Sequence, residues 1–324
     1  MPLNGAFNIQ SILPDPIMSN IAIARIHGGE FIADRLMPVV GVQADYGRYA
    51  IFGSEAITQV VDTKRAPGAS AALGTMSRTY DTFMATEDAH KEELHEEDFQ
   101  GMNPATVREQ AIDVDLMQIK IAIESRVQAM VAAISNTMAV STKWDQANPT
   151  IMKNWLDARE AFRKQYGIYP NLCEISPTIA NIMSVDADIK DYVKYTKPDL
   201  LEAGILPPRI RGVELVIPTA NIKTSLAATA LTDIWDNGEK SITFLYVQPG
   251  ATYNPATNTS NITATMTNTW GLQIRSTSTG GLTVATRNWM DPDQSKKTEY
   301  VSCDLKQVEK QVNGKLGMRV QVLT

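Results

Sequence analysis

Apolar residues recur at Ile112, Leu116, Ile119, Ile123, Val127, Met130 and Ile134, in steps of three or four. Steps of that size keep side chains on one stripe of an α-helix. Asn103 is a favourable N-cap, and Pro104 stands at the first helical position, where proline is tolerated. No glycine or proline interrupts the run to about Ser135. The pattern predicts one amphipathic helix of roughly 45–50 Å, at about 1.5 Å per residue. Few small domains need a helix of that length.

The preceding stretch has another texture. Asp45–Phe52 alternates like a strand, and Tyr80–Thr86 reads as a strand returning. Between them, residues 62–75 are rich in Ala, Gly, Ser and Pro and hold few large apolar groups. Two strands joined in this way form a long arm that is marginally stable alone and needs a surface to lie on. Residues 1–25 are polar and proline-marked, and Gly28-Gly29 precedes a short apolar segment, 31–40. The acidic segment Glu87–Asp98 is expected as a short helix or loop. A second helix is predicted over Thr150–Tyr166, ended by Gly167. A short strand (Cys173–Ile175), a short helix (Pro177–Val185) and a further segment (Ile189–Tyr195) follow.

Beyond residue 210 strands dominate: Val213–Ile217, Ile242–Val247, Gly271–Ile274, Leu282–Trp289, Thr298–Leu305 and Met318–Leu323. Tyr253–Asn268 is Thr- and Asn-rich and reads as a surface loop or edge hairpin; its sequons Asn258 and Asn261 signify only a polar loop. No internal repeat is present. One dominant helix among antiparallel strands defines an α+β class.

The formal net charge is -6 and the pI about 5.2. This argues against tight sequence-independent binding of nucleic acid, which needs surplus Lys and Arg facing phosphate. It is compatible with a container that holds nucleic acid without adhering to it. Cys173 and Cys303 form no motif and are expected as two reduced, packed thiols. Neither a signal peptide nor an apolar run of about 20 residues is found, so a soluble, cytoplasmically made protein is expected.

The strongest candidate for chemistry is His90 and His95 among Glu92, Glu93, Glu96 and Glu97. Zincin helices place His at i and i+4 with Glu after the first; here the spacing is i and i+5, and Lys91 follows His90. On a helix the two rings would diverge, so a solvated acidic face or ion-pair partner is expected, and a metal-dependent hydrolase is the weaker alternative. Asp113 and Asp115 lie two apart and read as solvated or interface charges. His27 reads as a surface residue. The sequence has no phosphate-binding glycine loop and no G-x-S-x-G elbow. No catalytic, cofactor-binding or metal residue is therefore assigned, and no enzyme activity is expected.

The order of these parts resembles the major capsid proteins of tailed bacteriophages, with the Hong Kong 97-type fold. The resemblance rests on Ala33–Val40, similar to the family's opening apolar segment, and on Gly47-Arg48-Tyr49 and Arg65–Ala69, similar to the start and tip of its extended loop. Tyr80–His90 with Glu92–Asp98 is similar to the connector into the spine helix, which Asn103, Pro104 and Glu124 fit. Asp233–Trp235 and Phe244–Pro249 look like axial-domain strands, and Thr269–Gly271 like the return to the peripheral domain.

The resemblance implies an N-terminal arm (1–43), an extended loop (44–84), a peripheral domain with the spine helix (85–167), an axial domain (168–285) and a return to the peripheral domain (286–324). It implies hexamers and pentamers forming an icosahedral virion shell around double-stranded DNA, assembled in the host cytoplasm. No long charged helical prefix precedes the arm, so a separate scaffolding protein is expected, with a portal and, in some shells, a decoration protein. Inter-subunit contacts are expected between Glu92, Glu93, Glu96 or Glu97 and basic loop residues such as Lys64, Arg65 or Arg78. Lys64 is a conceivable donor for the Lys–Asn cross-link of some relatives, but no specific acceptor is found and cross-linking is not expected. An encapsulin-like nanocompartment is the nearest alternative.

Overall fold

The computed structural model describes residues 18–19, 22, 31–52, 64–65, 67–68, 70, 78–194, 206–222, 231–235, 240–262, 269–277, 284–291 and 298–324. Most of the N-terminal arm, most of the tip of the hairpin arm and His27 lie outside them.

In chain order, a short helix α1 (Ala33–Leu36) leads into β1 (Val39–Val42) and the arm strands β2 (Tyr46–Phe52) and β3 (Arg78–Met84). The next strand, β4, spans Thr86–His95, and a 3-10 turn (Glu96–Phe99) joins it to the long helix α2 (Pro104–Ala132). Asn103 caps α2 through its side-chain oxygen, which accepts from the Ala105 amide at 3.0 Å. The predicted stripe is buried at Ile112, Leu116, Ile119, Ile123 and Val127. Beyond the C-cap at Ala133, Ile134 still enters the core. The outer face of α2 is less polar than an amphipathic pattern suggests, because Val114 and Met117 stand exposed there.

The acidic segment corrects the sequence reading: it is mainly a strand, not a helix or loop. β4 pairs antiparallel with β16 (Thr298–Gln311) over ten residues, from Thr86↔Gln307 to His95↔Thr298. The other edge of β16 pairs first with β15 (Val284–Met290) and then with β14 (Gly271–Ser276), and β1 adds to β14 in parallel. Helix α2 lies lengthwise on this five-stranded sheet. Arg108 near its start pairs with Glu299, and Arg126 near its end with Glu309.

A second sheet has six strands in the order β5-β17-β11-β6-β8-β7. These are Thr137–Ala139, Gly317–Gln321, Ser241–Leu245, Leu172–Glu174, Val213–Val216 and Arg209–Ile210; the short strands β9 (Asn221–Ile222) with β10 (Thr232–Asp233), and β12 (Tyr253–Asn254) with β13 (Thr259–Ser260), pair separately. The six-stranded sheet draws strands from segments 85–167, 168–285 and 286–324 alike. Helix α3 (Ile151–Tyr166) packs on it through Trp155 against Phe244, with ring centroids 4.8 Å apart, and ends at left-handed Gly167. Helices α4 (Pro177–Val185) and α5 (Ala187–Lys194) follow β6. Arg319 on β17 donates to the Ala132 carbonyl, placing a cation at the C-terminus of α2. Cys173 and Cys303 are free and buried, and burial pushes both thiols above their ordinary range.

Candidate functional site

Three features organise the surface and seams of this fold. The first is the root of the hairpin arm. β2 and β3 pair from Tyr46↔Met84 to Phe52↔Arg78. Their inner face buries Tyr49 and Phe83 against Val40, Leu272, Ile274 and Val312. The Tyr49 hydroxyl donates to Asp81 Oδ2 at 2.6 Å. Asp45 accepts from Ser276 Oγ and, at 3.1 Å, from Lys306 Nζ; these two donors hold its carboxyl below the ordinary carboxylate range. The outer face is different. Tyr46 is 77% exposed, Met84 66% and Tyr80 57%, although Tyr46 and Met84 are opposite one another. Apolar and aromatic side chains directed outward on an anchored hairpin leave a face that is exposed among the described residues.

The second feature is a buried carboxylate in mid-helix. Glu124 Oε1 accepts from the Ile32 amide at 3.0 Å and from Trp235 Nε1 at 2.7 Å, while Oε2 accepts from the Ala33 amide at 2.9 Å. Glu124 is fully buried, and desolvation raises its pKa despite the three donors. It fastens the start of α1 and the Trp235 segment to the spine.

The third is the seam between β4 and α2. Alternate residues Asp88, His90, Glu92 and Leu94 form the more buried face of β4. Arg126 binds Asp88 through two hydrogen bonds, of 3.0 and 2.6 Å. His90 Nδ1 lies 2.7 Å from Asp115 Oδ1. Asp115 is fully buried, correcting its reading as a solvated or interface charge. Its pKa is pushed up to about 7, mainly by burial and further by Glu92 and Asp304, against the lowering effect of His90. Spacing held the missed signal, since Asp115 is three residues after Ile112 and four before Ile119, inside the buried stripe.

Of the residues singled out from sequence, Glu92 joins His90 and Asp115, with one ligand atom from each lying within 4.8 Å of the others. Glu93 is exposed on the other face of β4, opposite Tyr300. Glu96 and Glu97 are exposed in the 3-10 turn. Lys64 and Arg65 are exposed, and Arg78 begins β3. His95 does not share a site with His90. Five residues of strand separate them by about 16 Å and turn them to opposite faces. Instead, the His95 amide donates to Asp98 Oδ2 at 2.7 Å.

No protein-family model and no curated protein matches this chain. Its fold does match solved structures. A phage-related protein from Bordetella bronchiseptica RB50 aligns with a TM-score of 0.67 and 19% identity, covering 95% of this chain and 97% of its own. The mature capsid of bacteriophage PhiM1 aligns with a TM-score of 0.56 and 12% identity, over 91% and 88% of the two chains. A virus-like particle from Pyrococcus furiosus aligns with a TM-score of 0.52 and 10% identity, over 94% and 97%. The chain therefore has the α+β fold of Hong Kong 97-type capsid proteins across nearly its whole length. Among the described residues, no helix is long and apolar enough to cross a membrane.

Proposed function

We propose that this chain is a shell subunit, the major capsid protein of a tailed bacteriophage. It assembles as hexamers and pentamers into an icosahedral shell around double-stranded DNA and carries out no catalysis. The observation that carries this reading is the fold itself, matched over 91% of the chain, with a braced spine and a hairpin whose outward face is exposed among the described residues. The bare face of Tyr46, Tyr80 and Met84 is the contact offered to a neighbouring subunit. The exposed acids Glu93, Glu96 and Glu97 are the charge partners offered to basic loop residues such as Lys64 and Arg65. The division into arm, extended loop, peripheral and axial parts belongs to the same reading, as does assembly in the host cytoplasm with a separate scaffolding protein and portal. The net charge of -6 suits a shell that encloses DNA without gripping it.

Negative-stain microscopy of the expressed chain tests the proposal: closed, uniform shells support it, and a strictly monomeric protein at high concentration, even with scaffolding protein supplied, refutes it. Deleting residues 60–76 should leave a soluble monomer that closes no shells, and normal shells from that deletion would refute the extended-loop assignment. The second reading is a shell of the same fold that is not a phage virion, favoured by the likeness to the virus-like particle from Pyrococcus furiosus; a nanocompartment around cargo is the form of that reading set against the capsid. Nucleic acid inside particles purified from the native source supports the capsid, and a packaged protein supports the compartment.

A further inference from the structure

The β4–α2 seam contains a donor set that assembly alone does not require. His90 and Glu92 are two apart on a strand and so face the same way. Asp115 approaches them from the helix, so that an imidazole nitrogen and two carboxylate oxygens converge within 4.8 Å of one another. Asp115 is fully buried, and one of its oxygens, Oδ2, has no hydrogen-bond partner among the described residues. A buried carboxylate oxygen left unpaired is costly, and the usual remedies are a donor or a cation. The nearby charges favour the cation. Asp304 adds a further carboxylate to the neighbourhood of Asp115, and its own partner is Arg287.

We propose that His90, Glu92 and Asp115 bind one divalent transition-metal ion of the Zn2+ class, pinning β4 to the spine helix. One imidazole and two carboxylates form the mixed N/O set that such ions accept, with ligand bonds of about 2.0–2.2 Å. Asp115 is fixed by its helix. His90, with its side chain 37% exposed, and the half-buried Glu92 have room to rotate the small distance that coordination needs. The exposed side leaves a position for water. Since the ion binds within one subunit, this inference does not rest on the shell reading and is measured whether or not shells form.

The test uses the full chain without a histidine tag, stripped with chelator and titrated with Zn2+ by calorimetry, with Tm read in parallel. The expected result is one saturable equivalent per chain and a Tm raised by several degrees. His90→Gln and Glu92→Gln should each lower affinity at least tenfold, with circular dichroism spectra unchanged, and His95→Gln should leave it unaltered. Both substitutions are at partly exposed positions, so the test does not depend on altering buried Asp115. Absence of saturable binding overturns the proposal. So does loss in only one of the two variants, equal loss in His95→Gln, or an equal response to Ca2+.

Discussion

Trp235 Nε1 donates to Glu124 Oε1 at 2.7 Å, joining residues 111 positions apart. The same carboxylate accepts the Ile32 and Ala33 amides, so one buried side chain fastens two remote segments to the spine. Glu124→Gln would turn an amide donor toward these N–H groups, and a loss of about 2–4 kcal/mol is expected. Trp235→Phe keeps most of the ring but removes one donor, with an expected loss of about 1–3 kcal/mol. Urea unfolding of both single variants and the double variant checks the relationship. The two losses should be clearly non-additive, and simple additivity would show that the contact carries no coupling.

Asp115 makes stability depend on pH. It is faced by His90 and Glu92 from β4 and by Cys303 and Asp304 from β16, and Asp113 lies on its own helix. Its pKa rises from 3.8 to about 7 on folding. Between those values the folded chain retains a proton that the unfolded chain has released. The contribution of Asp115 to stability is therefore fully present below the lower value and is lost as pH rises through the upper one. Asp115→Asn should remove that slope. Tm measured in chelator at pH 5 and pH 8 should fall more for the native protein than for the variant, and a steeper fall in the variant would refute this account.

The root of the hairpin gives a local prediction. Tyr49 is buried against Leu272, Ile274 and Val312, and its hydroxyl meets Asp81. Tyr49→Phe removes one hydrogen bond and should cost about 0.5–1.5 kcal/mol. Tyr49→Ala also empties the pocket beneath the arm and should cost about 3–5 kcal/mol. Amide hydrogen exchange at Ile51 and Phe83, which lie at the hydrogen-bonded positions of the β2–β3 ladder, should quicken much more in the alanine variant than in the phenylalanine variant. Equal protection in both would show that the arm is held elsewhere.

The parts legible in the sequence were those in which burial is apolar. The stripe Ile112–Val127 announced the spine helix, and the alternation in Asp45–Phe52 announced the arm. β4 was hidden for the opposite reason. Its inner positions, Asp88, His90 and Glu92, are polar and are matched by Arg126 and Asp115 on the helix, so no apolar period of two exists to detect. The same pairing concealed the candidate metal site, because Asp115 is a ligand only once the strand lies beside the helix. The Thr/Asn-rich segment showed its hairpin, Tyr253–Asn254 with Thr259–Ser260, but not its inward contact. Asn258 is buried, and its amide donates to the carbonyls of Val42 and Arg275 at 3.0 and 3.3 Å.

That inward contact yields the sharpest steric prediction. Asn258 has a positive φ of 48°, and its carbonyl oxygen would be 1.9 Å from a Cβ placed on Gly41. The obstructing atom belongs to a backbone held on both sides: Tyr253 donates to Asn258 Oδ1 at 2.9 Å, and the Asn258 amide group bonds to β1 and β14 carbonyls. It cannot rotate away as the end of a flexible side chain could. Gly41→Ala must therefore displace either β1 or the hairpin, and a loss of about 3 kcal/mol is expected, at the upper end of the over-packing range. Gly68 is the control. Its φ of +85° makes any side chain strained, yet nothing lies within 4 Å of a Cβ there. Gly68→Ala should cost about 1–2 kcal/mol, from the left-handed backbone alone. Denaturant midpoints of the two variants should rank Gly41→Ala as the less stable. The reverse order would mean that the hairpin does not press on β1 in solution.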